Sequence, residues 1–194
     1  MLTSWVVMPT CLPTVLRRCH ACPSDRFRAN GKFRVNAHHK LLDAWLLVRC
    51  AGCGDTAKIA LLERTHVRSV PPGLLDRLHA NDPVLAAELL QDPAVLRRNR
   101  IALDWTGAWR LDTGAPVPPD RAAITDINDI AAIDVIDVSV RFAARIPVRP
   151  VRLIADGCGL SGAEVVRLVE AGKLVSAVRL RGRLSGDFTF TLKL

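Results

Sequence analysis

A chain of 194 residues, 49% of them hydrophobic, is long enough to bury a proper core as one or two domains. No uninterrupted apolar run approaches the roughly 18–20 residues of a membrane span, so the composition reads as that of a soluble protein with no membrane partner. The formal charge of +8 is uneven: residues 1–70 carry +7, residues 71–140 carry −5 and residues 141–194 carry +6. Basic ends are footprints for phosphate, and they are equally a means of staying soluble.

The first sixteen residues are uncharged. A signal peptide places its basic residues first, whereas Arg17 and Arg18 follow here and Pro9 and Pro13 interrupt the run, so the chain is expected to remain in the cytoplasm. Two Cys-x-x-Cys pairs come next, Cys19/Cys22 and Cys50/Cys53, with 27 residues between them. Four thiolates on two tight turns close tetrahedrally around one Zn²⁺; two matched pairs bracketing strand-like sequence fit neither a secreted disulfide scaffold nor a single thioredoxin-type pair. Four cysteine ligands leave no open position, so the expected zinc is structural and not catalytic. Gly52 and Gly54 flank Cys53 where the turn is expected to need positive φ, and Pro23 stiffens the exit of the first pair. His20 is expected to be exposed, and Cys11 and Cys158 read as packing residues.

Between the pairs, Lys32 to Asn36 alternates, with Phe33 and Val35 on one face. Ala37 to Lys40 makes a turn with His38 and His39 at its exposed tip, and Leu41 to Val48 is apolar enough for a strand covered on both sides. A third strand, Lys58 to Leu62, would complete a three-stranded zinc ribbon within residues 1–70. The period then changes. Asp82-Pro83 and Asp92-Pro93 each read as a helix start, Asp accepting from free N–H groups and Pro filling a position where no donor is needed. Another helix is expected around Leu74 to Leu78. Leu85/Leu89 and Val95/Leu96 are packing faces, Arg97, Arg98 and Arg100 read as a solvated helix end, and Trp105 and Trp109 as cover for a core. After this helical segment, 71–112, residues 113–119 with Gly114 and three prolines read as a linker.

Beyond it, Ile136, Val138, Val140 and Phe142 alternate as a strand. Gly157, Gly159 and Gly162 match G-x-G-x-x-G, but only 32 residues follow, too few for a dinucleotide fold, and Val178 and Arg179 stand where an acidic residue should meet the ribose. Two helices and a hairpin account for more of the pattern. Val151, Ile154, Ala155 and Cys158 share one face of a helix opened by Pro150; Ser161 and Glu164 form a capping box for a second helix that Gly172 ends. Strands Leu174 to Leu180 and Phe188 to Leu192 follow.

This order, with Leu160-Ser161 opening the second helix and Val169-Glu170-Ala171-Gly172-Lys173-Leu174 closing it, resembles the α-L RNA-binding motif. That motif occurs in the fourth small-subunit ribosomal protein, pseudouridine synthases and tyrosyl-tRNA synthetases. The resemblance implies an RNA-binding module over residues 120–194, in which Arg149, Arg152, Arg167, Lys173, Arg179, Arg181 and Arg183 are the candidates for backbone phosphates. The chain as a whole is similar to a bacterial family known only as domain-of-unknown-function family 1062, through Lys32-Phe33-Arg34-Val35-Asn36-Ala37 and Lys40-Leu41-Leu42-Asp43-Ala44-Trp45-Leu46 between the Cys pairs. That resemblance implies a zinc ribbon and brings no activity.

The expected fold class is α+β: N-terminal zinc-ribbon hairpins, a short helical middle and a C-terminal helix-helix-hairpin of α-L type. The expected function is that of a zinc-binding RNA accessory factor of ribosome or tRNA type, with an adaptor that docks onto a protein partner as the alternative. Catalysis has little support, because the chain shows no Ser/His/Asp order, no framed carboxylate pair, no phosphate-cradling loop and no evident small-molecule substrate.

Overall fold

The protein is described by a computed structural model covering residues 2–114 and 135–193. It divides into two compact units, Cys11–Ala108 and a second formed by Met1–Thr10 with Trp109–Leu194. The expected linker at 113–119 lies outside the described residues from position 115, as do residues 120–134 of the expected C-terminal module.

The opening strand β1 (Leu2–Pro9) belongs to the second of these units, and the chain then enters the first. There, β2 (Thr14–Leu16), β3 (Arg26–His38), β4 (Leu41–Cys50), β5 (Thr56–His66) and β6 (Ala102–Asp104) form an antiparallel sheet of order β5-β4-β3-β2-β6. β3 and β4 are one long hairpin, turned at His39 (φ +54°) and in register from His38↔Leu41 to Phe27↔Cys50. A bulge falls between Ala29 and Phe33, where Gly31 has φ +74° and the freed Phe33 N–H donates to Asn81 Oδ1 at 2.7 Å. Three helices follow: α1 (Pro72–His79), α2 (Pro83–Gln91) and α3 (Pro93–Asn99). The two Asp-Pro starts stand where expected, Asp82 accepting from the N–H groups of Val84 and Leu85 and Asp92 from that of Ala94. The Arg77 guanidinium, 2.5 Å from Asp82, holds that carboxyl below its ordinary range, which keeps the cap charged.

One core joins sheet and helices. Phe27, Leu46, Val48 and Ile59 pack with Leu78, Leu85, Leu90 and Val95, so the cysteine-bearing strands and the helical segment fold as one unit. Trp105 is also buried. β5 is an edge strand, and α3 covers that edge. The Asn99 amide accepts from Ala60 N–H at 2.7 Å and donates to Ala60 O at 2.9 Å, while Arg98 donates to Leu61 O at 2.8 Å. Asn99 thus acts as a one-residue strand. Asn99→Ala is expected to lower unfolding free energy by about 1–3 kcal/mol, read as a lower urea midpoint at constant m value.

The other unit holds a mixed sheet of order β7-β1-β8-β10-β9, with β7 (Trp109–Asp112), β8 (Val135–Phe142), β9 (Leu174–Ser176) and β10 (Phe188–Lys193). β1 and β8 run parallel from Leu2↔Asp137 to Val7↔Phe142, and the remaining neighbours are antiparallel. Helices α4 (Pro150–Cys158) and α5 (Gly162–Glu170) lie between β8 and β9 in the chain. The Ser161–Glu164 capping box is present, with Ser161 N–H donating to the Glu164 carboxylate at 2.7 Å. Trp5, Val7, Val140, Ile154 and Val165 are fully buried.

The expected α+β class with an α-L C-terminus is corrected here. Among the described residues the protein is mostly β, with two five-stranded sheets, and its C-terminal part is not a free helical hairpin. The helices lie where the sequence placed them. The strand after them is shorter, because Val178 N–H turns back to Ser176 Oγ at 3.3 Å and ends β9 at Ser176. β10 is then covered on its other side by β8 and β1, so the hairpin is one margin of a larger sheet. The G-x-G-x-x-G glycines stand at three separate places in the helix pair. Gly157 lies against the Trp5 ring, Gly159 takes φ +66° as the C-cap of α4, and Gly162 opens α5.

Candidate metal centre

Each cysteine pair sits in a turn at the same end of one sheet. β3 carries the chain away from the first turn and β4 returns it to the second, so the 27 intervening residues cost the site nothing in proximity. The first turn is closed by Arg17 N–H to Asp25 O and Cys19 N–H to Ser24 O, both 2.8 Å; the second by Cys50 N–H to Asp55 O at 2.8 Å and Gly54 N–H to Cys50 O at 3.0 Å. Ala51 N–H reaches across to Arg26 O at 2.8 Å, tying the turns to each other. Gly54 has the positive φ expected of it, +76°. Gly52 does not; its role is space, since a Cβ there would meet Ser24 Cβ at 3.1 Å and Cys22 Sγ at 3.2 Å.

The four sulfurs of Cys19, Cys22, Cys50 and Cys53 lie within 4.8 Å of one another. Cys19 Sγ is 3.7 Å from Cys53 Sγ, and Cys22 Sγ is 3.6 Å from Cys50 Sγ. Sulfurs held about 2.3 Å from a tetrahedral Zn²⁺ stand about 3.8 Å apart, close to both of these distances, so the group is compatible with a single ion. The backbone is arranged for negative sulfur. Ala21 N–H donates to Cys19 Sγ and Gly52 N–H to Cys50 Sγ, both at 3.4 Å. The Cys50 thiol is held down to about 6, first by the Cys53 backbone N–H and then by that of Gly52 and the Ser24 hydroxyl. The Cys53 thiol goes the other way, up to about 12: the Asp55 backbone N–H favours its thiolate, but the Cys22, Cys50 and Cys19 sulfurs and partial burial together outweigh it. One negative sulfur makes its neighbours hold their protons, and a divalent cation reverses that for all four.

All six cysteines are free thiols, with Cys11 exposed and Cys158 buried in the other unit, where burial pushes its thiol up to about 11. Cys158 is packing. The seven basic residues Arg149, Arg152, Arg167, Lys173, Arg179, Arg181 and Arg183 are all exposed. Arg179 and Arg181 line one groove, whereas Arg152 faces Asp156 at 3.8 Å one helical turn away.

A set of surface residues went unread. Leu41 to Val48 was expected to be covered on both faces, yet β4 alternates buried and half-buried positions, because the helices cover one face only. Trp45 stands on the open face. Lys58 Nζ lies 4.9 Å from its ring centroid, exposed Arg34 is its cross-strand partner, and exposed Arg28 and Arg49 stand directly opposite each other nearby. The signal was the pairing itself, which no single strand displays.

Fold and site define a β-rich protein of two units, one of which carries a four-thiol site able to hold a metal ion. The chain belongs to the family described as Protein of unknown function (DUF1062), which matches residues 35–180. That span includes the second cysteine pair and begins after the first. No curated protein and no solved structure matches the chain at a significant level. Among the described residues no helix is long and apolar enough to cross a membrane.

Proposed function

We propose that this is a zinc-stabilised RNA-binding accessory protein whose interface is the open face of the sheet that carries the cysteine turns. Four clustered thiolate donors suit tetrahedral Zn²⁺ or iron, and zinc gives a colourless protein with one metal per chain. The six free thiols suit a reducing compartment such as the cytoplasm. Zinc in this reading fixes the end of the sheet and takes no part in chemistry.

The observation that carries the RNA reading is the charge and aromatic content of that face. Arg28 and Arg49 are cross-strand partners, and like charges directly opposite each other destabilise a sheet. Neither they nor Arg34 and Lys58 form an ion pair among the described residues. A strand of phosphates relieves that repulsion, and a base stacks on the half-exposed Trp45 ring beside the cations. The C-terminal arginines lose their motif-based warrant with the α-L module, and no aromatic ring accompanies Arg179 and Arg181 in their groove.

Trp45→Ala is expected to weaken binding of a fluorescein-labelled twelve-nucleotide oligo-U RNA by roughly 5–150-fold, the worth of about 1–3 kcal/mol of stacking, at unchanged zinc content. Arg28→Ala with Arg49→Ala lowers the log–log salt slope by about 1.4, two single-strand phosphate contacts. Oligo-U binding that is indifferent both to Trp45 and to salt would overturn the RNA reading and leave the adaptor.

A further inference from the structure

Among the described residues β9 is the last strand of its sheet and pairs with β10 on one side only. Ala177 N–H donates to Thr189 O at 3.2 Å and Lys173 O accepts from Lys193 N–H at 2.8 Å, so by antiparallel alternation residues 173, 175 and 177 face β10. The main-chain groups of Leu174 and Ser176 point the other way, with no backbone partner among the described residues. An open groove of about 460 Å³ follows this edge, lined by Val169, Leu174, Val178 and Leu180 with Arg179 and Arg181. Val169 and Val175 remain 40% and 52% exposed.

We propose that this edge docks an extended, acidic segment of a partner protein, which adds as a sixth strand beside β9. A free row of N–H and C=O groups is complemented by another polypeptide strand, while the apolar lining takes alternate side chains. Charge selects the sign of that strand. Residues 173–183 contain Lys173, Arg179, Arg181 and Arg183 and no acidic residue, and none of the four cations is in an ion pair among the described residues. A second copy of this chain would set the same cations against one another, and RNA has neither the backbone donors to continue the ladder nor a ring in this groove to stack upon. The inference is independent of the RNA reading, because its residues lie in the other unit.

The test uses the full chain and two fluorescein-labelled octapeptides, (Val-Asp)₄ and (Val-Lys)₄. Wild type is expected to bind (Val-Asp)₄ saturably and at least about tenfold more tightly than (Val-Lys)₄, with the preference reversed by Arg179→Glu together with Arg181→Glu. N-methylation of alternate amides of (Val-Asp)₄ abolishes binding, and the Leu174 and Ser176 amides exchange more slowly when the unmodified peptide is bound. Trp45→Ala leaves peptide binding unchanged, and the double Glu variant leaves oligo-U binding unchanged, so each reading can fail alone. Equal affinity for the two peptides, full binding of the N-methylated peptide, displacement of the peptide by oligo-U, or dimerisation through β9 would each overturn the inference.

Discussion

Cys50→Ser is expected to abolish stoichiometric metal binding and to unfold the cysteine end of the sheet, the largest single effect in the molecule. Cys50 is 4% exposed, is the cross-strand partner of Phe27, and closes its turn through Asp55 O, so ligand and core residue are one side chain. Structural zinc supplies about 10–16 kcal/mol in small metal-folded domains, comparable with the whole stability of a domain at about 5–15 kcal/mol. On the zinc reading, three remaining thiolates leave the ion one sulfur short, and the turns lose the bridge that would join Cys19 to Cys53 and Cys22 to Cys50, whose sulfurs lie 3.7 and 3.6 Å apart. Metal analysis together with a thermal melt reads the outcome, with Cys11→Ser as the control that changes neither. One metal per chain and an unaltered Tm in Cys50→Ser would remove these residues from any metal site.

The pH dependence has a definite sign. Metal binding displaces thiol protons, and with Cys53 near 12 at least one proton must leave throughout the neutral range. Affinity is therefore expected to rise by at least about tenfold per pH unit near pH 7, and to fall more steeply still once acidification approaches the Cys50 value of about 6, where a further proton competes. A competition titration with a chromophoric chelator between pH 6 and 8 checks this; a flat profile contradicts it.

Gly157→Ala is expected to destabilise the other unit. On an exposed helix this change is stabilising by about 1 kcal/mol, since alanine is the better helix former. Here a Cβ would stand 2.5 Å from Trp5 Cζ3 and 2.9 Å from Cζ2, with Cη2 nearer still. Trp5 is fully buried and edge-on to Phe190 at 5.3 Å, so the ring has no free direction. Overpacking of this kind costs about 1–3 kcal/mol and outweighs the propensity gain, so net destabilisation is expected. Trp5→Ala costs about 3–5 kcal/mol by itself and makes room for the methyl group, so the double variant should be no less stable than Trp5→Ala alone. Additive urea midpoints would show that the two residues do not meet.

Legibility in the sequence followed the range of the physics. The two Asp-Pro helix starts and the Ser161–Glu164 capping box are contacts within four residues, and each was readable from spacing. Alternation found β8 and β10 for the same reason, since a half-buried strand displays its period in its own residues. β1 is the instructive miss. Its uncharged run reads only as a segment that does not fit a signal peptide, because Trp5, Val6 and Val7 are all apolar and the alternation of buried Trp5 and Val7 with exposed Ser4 and half-buried Val6 exists only in the folded sheet. Its parallel partner β8 lies more than a hundred residues away, a pairing that leaves no local trace.

The sequence by itself determined that four thiols would be offered on two turns and that helices would start where Asp precedes Pro, because ligand chemistry and capping need only the residues concerned. Only the tertiary structure decided that the C-terminal hairpin is the margin of a five-stranded sheet, that Gly157 exists for Trp5, and that Trp45 stands open among Arg28, Arg34, Arg49 and Lys58. Those facts depend on which strands meet and in what register, and that choice is made by burial across the whole chain.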